Sequence, residues 1–197
     1  STPMDLKIRA ALACDIPHLA YIWLEATGGV IEALYEGAIP GRRTNEIVEH
    51  VFSRSDSTTC FSNVIVAQED GVVVGGIHAY PEAQEANNPS DPLVAEDRLG
   101  VLKPFMELHA AGGYYIVAVA LYPQARNKGI AKRLLQQAES NAKSLGFEQV
   151  SLHVFEQNSV AHSLYLRLGY QEEGRRRAVA HPRLRYDGDL LLMTKSL

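Results

Sequence analysis

The chain has 197 residues, of which 46% are hydrophobic, 21% charged and 8% aromatic. This balance fits one globular domain over 1–197 and excludes a disordered tail or a low-complexity chain, which would be poorer in aliphatic residues or richer in Gly and Pro. With 19 basic against 23 acidic residues, the net charge of −4 argues against a nucleic-acid or membrane partner, leaving only local basic patches.

Ser1-Thr2-Pro3-Met4 lacks the basic and apolar character of a secretory signal. Cys14 and Cys60 form no CxxC pair, and two lone thiols suit a reducing cytoplasm. The longest apolar run, 116–122, is too short to span a bilayer.

Leu6 to Arg9 alternates like a short strand. Asp15 reads as the N-cap of a helix through Leu19, Ile22 and Trp23 that ends at Gly28-Gly29. Residues 30–54 predict one or two helices around Pro40-Gly41. Two β-branched runs, starting at Val64 and Val72, meet at Asp70-Gly71 and predict a hairpin. Gly75-Gly76 within the second run implies a bulge or the close approach of another backbone. Residues 81–113 read as a loop punctuated by Asn87-Asn88-Pro89 and Asp91-Pro92, then an amphipathic stretch from Val94 to His109. That is too long for a plain connection, and we expect it to shape a binding site.

From Tyr114 the pattern sharpens. Tyr114 to Tyr122 is a buried-strand run stopped by Pro123, and Gly129 to Leu145 carries a clean apolar stripe closed by Gly146. Val150 to Phe155 predicts a strand, and Asn158 caps a short helix that Gly169 ends. The last predicted strands are Arg177–Ala180 and Leu190–Thr194.

The chemistry lies where the strand of Val119, Ala120 and Leu121 passes into Arg126, Asn127, Lys128, Gly129, Ile130, Ala131 and Lys132. The first N–H groups of a helix lack intrahelical partners and carry the positive end of its dipole. Gly129 and Ala131 leave little bulk over them, so a phosphate can come close. Arg126, Lys128, Lys132 and Arg133 add positive charge around the same opening. A plain basic helix start is the alternative on these residues alone. Neither a GxGxxG fingerprint nor a Gly-Lys-Ser/Thr loop is present in the segment.

Arg126-x-x-Gly129-x-Ala131 after a strand and proline resembles the acetyl-CoA signature of the GCN5-related N-acetyltransferases. Asn158-x-x-Ala161-x-x-x-Tyr165-x-x-x-Gly169-Tyr170 resembles that superfamily's second cofactor motif. The resemblance is specific over roughly 114–170 and weaker elsewhere. It implies a single-domain α/β (α+β) fold, with a mixed, mostly antiparallel sheet in which two parallel neighbours splay apart. Acetyl-CoA, as co-substrate and without a metal, would enter the gap between the strand ending at Leu121 and the strand through His153. The backbone of Val119, Ala120 and Leu121 would hold its arm, and the amides from Asn127 to Lys132 its pyrophosphate. Asn127, where the family usually has Gly, tolerates left-handed backbone better than most residues.

The resemblance further implies that Asn158, with Ala161 beside it, touches the cofactor arm and that Tyr165 protonates the departing thiolate. A simple cap and a packed core tyrosine are the alternatives. His153 is the candidate general base, against a strand histidine held in a hydrogen bond; Glu107, Tyr114, Tyr115 and His78 are weaker candidates. An acceptor amine of pKa ~10.4 needs about 4.6 kcal/mol to be neutral at pH 7, so a base or a route to one is expected. Arg175, Arg176, Arg177, Arg183 and Arg185 read either as solvated arginines or as an attractor for an acidic group. Glu25, Glu32 and Glu36 lie where the superfamily shapes its acceptor pocket. The expectation is a transferase acting on a small-molecule or peptide amine by direct attack, with a homodimer as one form. No cysteine in either motif supports a covalent route. A non-catalytic acyl-CoA sensor is the alternative, and a nucleotide-binding protein a third.

Overall fold

The computed structural model describes residues 5–88 and 90–197. The readings of Ser1 to Met4 and of Pro89 as a turn residue lie outside the described residues. Seven strands form one sheet in the order β1-β2-β3-β4-β5-β7-β6: Leu6–Ala10 (β1), Val64–Glu69 (β2), Val72–Pro81 (β3), Tyr114–Leu121 (β4), Gln149–Phe155 (β5), Gln171–Arg177 (β6) and Asp189–Ser196 (β7). All neighbours are antiparallel except β4 and β5. The helices are Ile16–Ala26 (α1), Val30–Tyr35 (α2), Thr44–Ser53 (α3), Lys103–Glu107 (α4), Ile130–Ser144 (α5) and Ser159–Arg167 (α6).

Strand side chains alternate between faces, so the sheet carries two cores. One face packs Trp23, Phe52, Ile47 and Val48 of α1 and α3 against Val66, Ala118 and Phe155. The other packs Leu134, Leu135, Ala138 and Ala142 of α5 against Ile77, Ile116, Val150 and Leu152. The stripe read along α5 is the buried side of that helix.

The hairpin forms as expected, with Asp70 at φ +50° and Gly71 at φ +84° giving the left-handed pair that a tight two-residue turn needs. Gly75 and Gly76 are close-approach glycines. A Cβ on Gly75 would lie 2.5 Å from the Ala120 carbonyl oxygen, and one on Gly76 2.7 Å from that of Ile65. One bulge adjoins them as well, since Ala67 and Gln68 pair with Gly75 and Val73 and skip Val74; a second register shift falls between His78 and Ala79.

Two expectations are corrected. The sixth strand is Gln171–Arg177 rather than Arg177–Ala180. As an edge strand of mostly exposed charged and polar residues, it has no apolar periodicity to betray it. Asp15 does not cap α1 with its side chain. Its buried carboxylate accepts from the Leu12 N–H at 2.8 Å and from both terminal nitrogens of Arg9 at 2.8 and 3.1 Å. The carboxylate thereby ties β1 to the start of α1, and the Arg9 guanidinium holds its pKa below the ordinary range.

Candidate active site

β4 and β5 pair over only three residues: Tyr114 with Val150, Tyr115 with Ser151 and Ile116 with Leu152. Beyond that point β4 runs on to Leu121 and β5 to Phe155 without pairing to each other, although each keeps its other neighbour. The ladder thus opens into a gap flanked by Val119, Ala120 and Leu121 on one side and His153 on the other. An irregularity between His78 and Ala79 leaves Val117 of β4 without a partner on β3, at the level where the gap begins. The Leu121 carbonyl is already met by two side chains, the Arg126 Nε at 3.3 Å and the Tyr21 hydroxyl at 3.5 Å.

Beyond β4 the chain turns through Pro123–Ala125 into α5. Asn127 adopts φ +63° and Gly129, at the N-cap of α5, φ +79°. The asparagine therefore takes the left-handed geometry that the commoner glycine would supply. A Cβ at Gly129 would meet nothing within 4 Å, so the helix start is open, as an anion approaching its amides requires. Ile130 is buried in the core below the loop, while Lys132 is exposed and Ala131 half-buried.

Two of the four cations expected around the opening are paired with acids. Arg126 pairs with Glu25 at 3.2 Å and Lys128 with Glu69 at 3.3 Å, whereas Lys132 and Arg133 enter no ion pair among the described residues. The compensating acids come from α1 and β2, far away in sequence.

Tyr165 lies on α6, its ring 7% exposed and packed at 61° against Tyr170. Its hydroxyl bonds to no described residue and is not sealed from solvent, and burial pushes the phenol above its ordinary pKa. Asn158 occupies the N-cap position of α6 without a side-chain capping bond, so its carboxamide is free. Ala161, three residues on, is half-buried.

His153 lies beside the gap, yet both its nitrogens are engaged. Nε2 contacts the Leu108 carbonyl, which can only accept, so Nε2 carries the hydrogen. Nδ1 is then the acceptor, and the Tyr115 hydroxyl donates to it at 2.6 Å. Burial lowers its pKa to about 4, so protonating it at pH 7 costs about 4 kcal/mol. His78 is also buried and neutral, its pKa lowered to about 4, with Nε2 against the Thr58 carbonyl at 2.9 Å.

Four of the five arginines near the last strands are partnered, and Arg177 enters no ion pair among the described residues. Arg175 joins Glu156, Glu172 and Asp189, Arg176 joins Glu107, Arg183 joins Glu36, and Arg185 joins Glu32. Glu25, Glu32 and Glu36 are therefore already engaged by guanidinium groups. Arg185 also caps the end of α1, donating to the carbonyls of Leu24 and Glu25. Among the described residues no cluster of His, Cys, Asp and Glu could hold a metal ion, and no helix is long and apolar enough to cross a membrane.

A family model described as "Acetyltransferase (GNAT) family" matches residues 31–170. This chain belongs to that acetyltransferase family. Two Bacillus subtilis proteins named as uncharacterized N-acetyltransferases are similar to it. YdgE is 37% identical over 75 residues, 38% of this chain and 48% of its own length. YycN is 41% identical over 58 residues, 29% and 37%. The matched segments thus span about half or less of these relatives. Among solved structures, an N-acetyltransferase from Staphylococcus aureus Mu50 superposes with a TM-score of 0.68 at 18% identity, over 96% of this chain and all of that one. The PaiA N-acetyltransferase of Thermoplasma acidophilum, solved with coenzyme A, gives 0.57 at 20% identity, over 98% and 100%. The open seven-stranded sheet with one parallel pair is the fold these proteins share.

Proposed function

We propose that this chain, acting as one domain over 1–197, transfers the acetyl group of acetyl-CoA to a primary amine of a small molecule or peptide by direct attack. The observation that carries the reading is the opening of the β4–β5 ladder beyond Ile116 and Leu152, next to the uncovered helix start at Gly129. The residues present suit the co-substrate. The backbone of Val119 and Ala120, paired to β3 but not to β5, would hold its arm, and the amides from Asn127 to Lys132 its pyrophosphate. Lys132 would add charge, and the free carboxamide of Asn158, beside Ala161, would bond the arm. Arg126, bound to Glu25 and the Leu121 carbonyl, fixes the loop that presents these amides.

Tyr165 is the donor to the leaving sulfur. Its raised pKa keeps the hydroxyl protonated throughout the working range, and a thiolate of pKa ~8.5 takes from it a hydrogen bond more readily than a full proton. His153, neutral, holds the Tyr115 hydroxyl by accepting from it at Nδ1 and does not act as the base in this reading. Both thiols are free, with Cys14 exposed, which suits the reducing cytoplasm we assign.

Release of free CoA from acetyl-CoA in the presence of a panel of amines tests the reading. Amine-dependent release is expected. Tight binding of acetyl-CoA with no release for any amine would instead assign a sensor.

A further inference from the structure

The groups that would meet the co-substrate share one face of the sheet. Tyr165, Ala161 and Ile130, at the start of α5, belong to the core under α5 and α6. On the acetyltransferase reading, the thioester lies between β4 and β5 with its sulfur at Tyr165. The attacking amine is then left the other face, under α1 and α3. On that face, beyond the last β4–β5 pair, β4 presents small residues and β5 presents rings. Val117, Ala118 and Ala120 of β4 pack with the α1 and α3 core, as does Phe155 of β5. His153, two residues before Phe155, points to the same side, as strand alternation requires.

Two more rings complete the β5 side, each from a different part of the chain. Phe105 of α4 meets the His153 ring edge-on, with centroids 5.1 Å apart, and the Phe155 ring at 6.2 Å. Tyr186, in the loop after β6, lies 5.3 Å from Phe155. A Cβ on Gly28 would lie 2.8 Å from the Phe155 ring and 3.2 Å from the Tyr186 ring, so the α1–α2 turn closes down on both. Val117, Ala120, Phe105, Tyr186 and Leu24 of α1 pack against this core yet are only half-buried, so the wall keeps apolar surface open to solvent. The acids around it are taken: Glu25 by Arg126, Glu107 by Arg176 and Lys103, and Glu156 by Arg175. A cavity of about 450 Å³ between α2, the 96–102 segment and the loop after β6 is more polar, but its Glu32 and Glu36 are held by Arg185 and Arg183.

Resting on the acetyltransferase reading, we propose that the acceptor is a primary amine carrying an uncharged aromatic group, which Phe105 and Tyr186 receive with Phe155 behind them. Aromatic rings meet edge-on or offset at the spacings found along this wall, and such pairs favour a further ring over an aliphatic chain. The short side chains of Ala118 and Ala120 across the gap suit a flat group. A second ammonium in the same place would be desolvated with no carboxylate to pair with. Phe105 and Tyr186 are thus specificity-determining residues, and they take no part in the transfer itself.

The test measures kcat/KM of the full-length chain for 2-phenylethylamine, n-butylamine and putrescine at saturating acetyl-CoA, and repeats it in Phe105→Ala and Tyr186→Ala. n-Butylamine and putrescine share one carbon chain, so that pair isolates the second charge. The expected order is 2-phenylethylamine over n-butylamine by about tenfold or more, and n-butylamine over putrescine by about tenfold or more. Each variant is expected to lower the ratio of 2-phenylethylamine to n-butylamine about tenfold, through KM more than kcat. Lost structure alone would slow both amines alike, so an unchanged ratio in the variants overturns the proposal. Where Phe105→Ala does not fold, Tyr186→Ala carries the same comparison. Wild-type protein that uses n-butylamine or putrescine as well as 2-phenylethylamine also overturns it, while leaving acetyl transfer intact. Wild-type protein that binds acetyl-CoA but turns over none of the probes overturns the acetyltransferase reading and this proposal together.

Discussion

The two faces of the sheet are built by opposite strategies. The face under α5 and α6 is completed by β2, β3 and β7, but the groups proposed to meet the co-substrate come from chain between Tyr114 and Tyr170 and are chiefly backbone: β4 beyond its pairing with β5, and the open amides after Asn127. The face under α1 and α3 gathers side chains from α1, α2, the 81–113 segment and the loop after β6, held by ion pairs such as Arg183–Glu36 and Arg185–Glu32. Backbone recognition tolerates many side chains but needs small or left-handed residues at fixed positions. Side-chain recognition leaves no such spacing rule. A shared co-substrate is suited to the first strategy and a particular acceptor to the second.

Substitutions on the two faces should therefore fail in different ways. On the first face, Tyr165→Phe is expected to lower kcat by roughly 10²- to 10⁴-fold with acetyl-CoA affinity unchanged, checked by steady-state kinetics beside equilibrium binding; unaltered turnover would remove this phenol from the mechanism. On the second face, the largest effect should be on stability. A Cβ at Gly29 would lie 1.9 Å from the Arg183 carbonyl oxygen at φ +97°, so Gly29→Ala should cost about 2–4 kcal/mol. Calorimetry should show this as a fall in Tm on the order of 10 °C.

Asp15, which joins the sheet to α1, carries the pH test. Its folded pKa is depressed, so its contribution is present above the unfolded value near ~3.9 and is lost as pH falls through the folded value. Asp15→Asn should cost about 2–3 kcal/mol at neutral pH and flatten the acid side of the stability profile, measured by urea unfolding at stepped pH. The smallest effect returns to the first face. Gly129→Ala should weaken acetyl-CoA about tenfold in calorimetric titration, because the methyl enters the open helix start and strains a left-handed residue.

The same contrast decides what the sequence made legible. The β2–β3 hairpin, the α5 stripe, the left-handed Asn127 and the span of β4 depend on local chemistry, and each was readable from its own residues. β6 was misplaced because an edge strand wet on both faces carries no apolar alternation. Asp15 looked like a cap because its true partner, Arg9, sits on a strand whose pairing is non-local. Nothing local marked the pairing of Arg126 and Lys128, because Glu25 and Glu69 reach them only through the fold.

The contact of Gly29 with the Arg183 carbonyl, together with the Arg185 N–H donating to the Gly28 carbonyl at 2.8 Å, has a mechanical consequence. The turn between α1 and α2 and the loop after β6 are latched main chain to main chain, beside the side-chain bonds of Arg183 and Arg185. Separating the two segments means breaking a main-chain hydrogen bond, which no change of rotamer achieves.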